Sequence, residues 1–184
     1  MSALADARQE TLASGWIGLP TRRALEVQLG RRSKLGRPHT LVAVYAPCFL
    51  RVADRWRRQW PNDNSPFDLV RWSTDLVEGR GGSEYGLKAA LGRVATLGDD
   101  LQGATEWDAR VAWVAVGVAR AALSGVGAAD YADDDGALDL EDYDPPSLAA
   151  CIEADGLPVA QSANDRHRPF WQWWLDSVVE PLLK

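Results

Sequence analysis

Histidine is nearly absent from this chain: 184 residues include two, His39 and His167. A Ser-His-Asp constellation or a histidine-bound metal would have to be built on one of them. His39 follows Pro38 in a basic connector and His167 lies just ahead of the last predicted helix. Neither stands in a recognisable motif, so both read as solvated side chains. Cysteine is equally scarce. Cys48 and Cys151 each sit among apolar neighbours, which suits reduced thiols better than a disulfide. Long apolar runs are missing too. The longest, Val111 to Ala119, is far too short to cross a bilayer. Met1 to Gln9 carries Asp6 and Arg8 where a signal peptide needs a basic start and an apolar stretch. The expectation is a cytoplasmic protein with no membrane partner.

No stretch alternates with a period of two, which argues against half-buried strands, and no pattern repeats at a fixed interval. Gly79-Arg80-Gly81-Gly82-Ser83 resembles part of a phosphate loop. It lacks the Lys after the last glycine and follows a helix, so it reads as a hinge. No catalytic residue, metal ligand or cofactor is expected.

What is present is helical periodicity and tryptophan: nine indoles in a chain that is 46% hydrophobic, enough for a sizeable core. A short helix over residues 3 to 14, closed by Gly15, is followed by one with Thr21 as N-cap and Gly30 as stop. From Leu41 the positions Tyr45, Cys48, Phe49, Val52, Trp56 and Trp60 keep helical spacing, with Pro47 inside and Pro61 ending the run. Ser65, Pro66 and Asp68 form a capping-box-like start, and Ser83 caps the next helix, whose Gly86, Gly92 and Gly98 permit close approach.

Residues 105 to 124, opening on Thr105 and Asp108, are apolar nearly all round and mark the central helix. Asp144 caps a short helix beginning at Pro145. The last helix opens on Phe170-Trp171-Gln172-Trp173-Trp174-Leu175. At about 100° per residue Phe170, Trp171, Trp174, Leu175, Val178, Pro181 and Leu182 share one arc, expected to clamp onto the central helix, while Trp173 points the other way. The expected fold is all-α: residues 1–184 as a single-domain bundle of about seven or eight helices around the central one.

The net charge of −6 is unevenly placed. Residues 130 to 144 hold eight of the 26 acids and no Lys or Arg, leaving the rest of the chain slightly basic. Set against a calcium loop with Gly136 sixth, Asp133, Asp135, Asp139 and Asp142 fall at ligand positions. The first position is Tyr131 and the last is Asp in place of Glu, so the segment reads as a solvated acidic loop. Arg51, Arg55 and Arg58, with Arg57 beside them, form one short basic row. On a net-negative chain that row suits pairing with acids better than nucleic acid.

The order of these pieces, an acidic Asp-rich segment, an aromatic-Asp helix start and a final Phe-Trp-x-Trp-Trp-Leu helix, resembles the fifth immunity family of bacterial polymorphic toxin systems. The resemblance is best from about Arg51 to Leu183. It runs through Trp56, Pro61, the alanine-rich central helix, Phe170, Trp171, Trp174 and Leu175. The family's Trp-Asp ahead of the short helix is Tyr143-Asp144 here, and its later Phe, Ser and paired glycines are Ser147, Ala150 and Asp155-Gly156. The resemblance implies a small cytoplasmic toxin inhibitor that works by protein–protein interaction, binding and neutralising a cognate toxin domain without catalysis.

On that reading Asp133, Asp134, Asp135, Asp139, Glu141 and Asp142 meet a basic toxin surface such as the phosphate-binding cleft of a nuclease. Tyr131, Tyr143 and Trp173 are the aromatic candidates for contact. Two other classes stay open: a helical enzyme or ligand-binding protein with an unrecognised site, and a self-associating structural protein.

Overall fold

The computed structural model describes residues 2–34, 36–101, 106–127, 130, 143–158 and 164–184. Among the described residues the regular structure is all helical, with no strand, as expected: α1 (Ala3–Ser14), α2 (Leu19–Arg32), α3 (Arg37–Gln59), α4 (Ser65–Val77), α5 (Glu84–Asp100), α6 (Glu106–Ala109), α7 (Val111–Ser124), α8 (Pro145–Ala154), α9 (Arg168–Trp174) and α10 (Glu180–Leu183). A π-helical turn, Leu175–Val179, joins α9 to α10.

Proline sets most of the starts. Six helices, α2, α3, α4, α8, α9 and α10, carry one in their first turn, where its missing N–H is not needed and its fixed φ is already helical. This moves two expected boundaries. Pro20 starts α2 with Gly18 as its cap, and Thr21 instead donates its hydroxyl to Glu10 Oε1 at 2.5 Å. Pro38 likewise starts α3 at Arg37, so His39 is helical and does not lie in a connector. At α4 the cap is Asn64, and Ser65 is the first helical residue. The caps expected from Ser83 and Asp144 do form, to the N–H groups of Gly86 and Ser147. At the end of α8, Asp155 takes the left-handed conformation (φ 50°) expected of Gly156.

The central helix expected over 105 to 124 is divided at Arg110 into α6 and α7, and α7, apolar nearly all round, is packed by α3, α4, α5 and α8. Two glycines bring backbones close to it or to its side chains. A Cβ at Gly98 on α5 would stand 2.9 Å from the Trp113 indole nitrogen, and one at Gly117 on α7 would stand 2.6 Å from Pro145 of α8. Gly92, also expected to permit close approach, faces open space.

The terminal helix does not clamp onto α7. Its aromatic face packs on α1, α8 and α3, with Trp171 edge-on to Trp16 from the α1–α2 connection and the Trp174 indole beside the Cys48 thiol on α3. One connected core of buried residues runs from Ala7 to Leu183. Cys48 and Cys151 are both buried and free. No helix among the described residues is long and apolar enough to cross a membrane.

Candidate functional site

The described ends of the acidic segment, Asp130 and Asp144, are two carboxylates that are already engaged. Asp130 accepts from Arg37 at 2.5 Å and from the Gly127 N–H at 2.8 Å, which fixes the chain where it departs from α7. Asp144 divides its two oxygens between the Ser147 N–H, capping α8, and the Nε of Arg22 at 2.7 Å. Both side chains of the Arg22–Asp144 pair are almost wholly buried, at 2% and 1% exposure. The expectation of a solvated acidic stretch over residues 130 to 144 is therefore corrected at Asp144, whereas Asp130 stays exposed in its pair with Arg37. Tyr143, a candidate contact, is corrected as well, because it is buried in the core. Tyr131, Asp133, Asp134, Asp135, Asp139, Glu141 and Asp142 lie outside the described residues.

Arg22 is the centre of a buried polar site that sequence reading missed. Its guanidinium also donates to the Ile17 carbonyl at 2.5 Å and lies 5.9 Å from the ring centroids of both Trp16 and Trp171. The signal was an arginine on the same face of α2 as Leu19, Leu25 and Leu29, and its partner stands 122 residues later. Burial and the nearby Asp144 charge push the Cys48 thiol well above its ordinary range, which makes it a poor nucleophile.

His167 is not solvated. It is 3% exposed, edge-on to Trp16, with Nε2 bonded to the Gly156 carbonyl at 2.9 Å and Nδ1 buried without a hydrogen-bond partner. Burial, with Arg166 adding repulsion, lowers its pKa from 6.5. A second buried polar contact, the Tyr45 hydroxyl donating to Glu26, is covered by Gly127.

Trp173 is half-buried. Its ring sits 5.4 Å from Phe170, and the Arg51 guanidinium lies over it at 5.0 Å. Arg51 in turn pairs with Glu153 on α8 at 2.7 Å, which raises its pKa. Arg55 bonds Asp108, Asp155 and the Ile152 carbonyl, each at 2.5 Å; burial opposes its charge, and the two carboxylates outweigh it and raise its pKa. Arg57 pairs with Asp54 and lies over Phe67. Arg51 and Arg55 thus tie α3 to α6 and α8 by pairing with acids, as their spacing implied, while Arg57 pairs within α3 and Arg58 is exposed.

One further feature was not visible in the sequence: a half-open groove of about 440 Å³ between α3 and α4. Its floor is apolar, and its charged lining residues are Arg71, Arg80 and Glu78. Among the described residues no cluster of three or more His, Cys, Asp or Glu could hold a metal ion.

The curated proteins contain no match to the chain. A family model described as Immunity protein Imm5 matches residues 5–181, from the first turn of α1 to α10. That span covers nearly the whole chain and takes in both halves of the Arg22–Asp144 centre, and on it the chain belongs to the Imm5 immunity protein family.

Proposed function

We propose that this chain binds the toxin domain of a cognate bacterial effector and neutralises it by covering its surface, without catalysing a reaction. The observation that carries the reading is membership of an immunity protein family across residues 5–181. The placement of the reactive-looking groups supports it. Arg22, Asp144, His167 and Cys48 are buried and packed into the joints between helices, where they build the fold and do not face a substrate.

The proposed contact is the acidic segment, through Tyr131, Asp133, Asp134, Asp135, Asp139, Glu141 and Asp142, together with the solvent-facing edge of Trp173. Asp144 is excluded, being buried against Arg22. A dense patch of carboxylates complements a basic toxin surface, such as the phosphate-binding cleft of a nuclease, and draws it in by long-range attraction. The partner is the toxin domain encoded by the neighbouring reading frame. Co-expression should yield a stable complex and restore the growth that the toxin alone arrests. A toxin that keeps its activity with the protein in excess and forms no complex overturns the proposal.

A further inference from the structure

His167 fastens the ends of three helices together. Its ring lies edge-on to Trp16 in the connection that follows α1, its Nε2 meets the Gly156 carbonyl just past α8 at 2.9 Å, and its own backbone leads into α9. A carbonyl only accepts, so Nε2 carries the proton of that bond. The neutral ring then holds Nδ1 as a bare acceptor, buried and without a hydrogen-bond partner. Protonating Nδ1 turns it into a donor with no acceptor and places a charge on a ring that is 3% exposed. The joint has no slack in which to absorb the change. The Asn164 N–H donates to the Ser14 carbonyl at 2.6 Å, and the Asn164 carbonyl oxygen lies 2.3 Å from where a Cβ on Gly15 would stand.

Among the described residues, the carboxylates of the elements packed at this joint are engaged elsewhere. On α1, Glu10 accepts from the Gly18 N–H and the Thr21 hydroxyl. At the two ends of α8, Asp144 pairs with Arg22 and Asp155 with Arg55, while Glu153 pairs with Arg51. Asp165 pairs with Arg168, and residues 157 to 163 contain no charged side chain. The nearest charge is a cation, Arg166, which repels a protonated ring. The element with most to lose is α1. Its twelve residues bury two side chains, Ala7 and Thr11, and its remaining ties lie near the surface: Arg8 to Asp176 and Glu180, and Arg168 to the Thr11 and Leu12 carbonyls. A helix with so little buried apolar surface detaches at low free-energy cost.

We propose that His167 is an acid-released latch: taking up a proton opens this joint locally and frees α1 with Trp16, while the body built on α3, α4, α5 and α7 stays folded. Carboxylates ordinarily titrate near pH 4, so between about pH 5.5 and about pH 7.5 the two histidines are the side chains that change charge. Amide hydrogen exchange on the free full chain, corrected for the intrinsic rate at each pH, reads the opening helix by helix. At about pH 7.5 the α1 amides should be protected, though less than those of α7. By about pH 5.5 their protection should fall about tenfold, because the open form takes up a proton at the ordinary histidine value of 6.5 and the closed form resists it. His167→Gln keeps an N–H for the Gly156 carbonyl and takes up no proton, so its α1 protection should stay flat. His39→Gln should behave as wild type.

Protection of α1 that is indifferent to pH, or that falls equally in His167→Gln, overturns the proposal. So do α1 amides that exchange only together with those of α7, since the opening is then global unfolding, and α1 amides already unprotected at about pH 7.5, since no latch is then closed. If His167→Gln does not fold, His39→Gln decides alone. With one histidine left in the chain, α1 protection that falls on acidification assigns the opening to His167, and protection that stays flat overturns it.

Discussion

Asp144 performs two tasks with its two oxygens, and the tasks can be separated. Asparagine is as good an N-cap as aspartate, so Asp144→Asn keeps the bond to Ser147 while removing the charge that compensates Arg22. Breaking a buried charge pair by removing one partner costs about 3–5 kcal/mol, far above the effect of losing a surface pair. Asp144→Asn should therefore lower the unfolding free energy by about that amount in denaturant titrations. Adding Arg22→Met, which removes the other charge of the pair, should recover at least about 1 kcal/mol of it. A double variant no more stable than Asp144→Asn alone would refute the pairing.

His167 makes a second residue-scale prediction. Its folded pKa is lowered by burial, so the folded state binds a proton less readily than the unfolded one. The stabilising contribution is complete above the ordinary value of 6.5 and is lost progressively as pH falls below it. The unfolding free energy should decline over that range in wild type and stay flatter in His167→Gln. Equal slopes would show that the buried imidazole is not responsible.

At the scale of the element, the terminal helix shows what the sequence could and could not reveal. Its start, its aromatic density and its inward face from Phe170 to Val178 follow from spacing alone. The end does not. In the π turn the Glu180 N–H bonds to the Leu175 carbonyl, five residues back, and the additional residue rotates everything after it. Val179 and Leu183 are consequently buried, while Pro181 and Leu182, expected inward, face solvent. A register shift of this kind is set by tertiary packing and leaves no mark in periodicity.

The same helix separates two indoles that stand two positions apart in sequence. Trp171 is fully buried against Trp16, Phe170 and Trp174, so Trp171→Ala should cost about 3–5 kcal/mol. Trp173 has one face on Phe170 and the other under Arg51, a half-buried cation–π stack. Trp173→Ala should cost about 1 kcal/mol. Chemical denaturation of the two variants side by side checks the contrast, and a loss at Trp173 as large as that at Trp171 would make it a core residue and remove it from the proposed contact.

Across the whole molecule, the helical class and the central α7 were legible because they rest on repeated local signals, caps and apolar periodicity. The joints between elements were not, because Arg22 with Asp144 and the α3–α4 groove depend on residues that only the fold brings together. Charge is the one global property that sequence states outright. With residues 130 to 144 holding eight of 26 acids, the chain is a slightly basic body carrying one strongly acidic segment.

Such a dipolar distribution acts before contact. It orients a basic partner during diffusion and raises the association rate far more than it changes dissociation, and salt screens it over about 10 Å at 0.1 M. Replacing Asp133, Asp134 and Asp135 together by Asn removes three charges with little change of shape. The association rate for the toxin domain, followed by stopped flow, should fall by about tenfold or more at low salt, with a flatter dependence on ionic strength and a nearly unchanged dissociation rate. An unchanged association rate would mean that the acidic segment does not steer the toxin. A change confined to dissociation would mean that these carboxylates are buried in the complex, making them direct contacts instead of a guiding field.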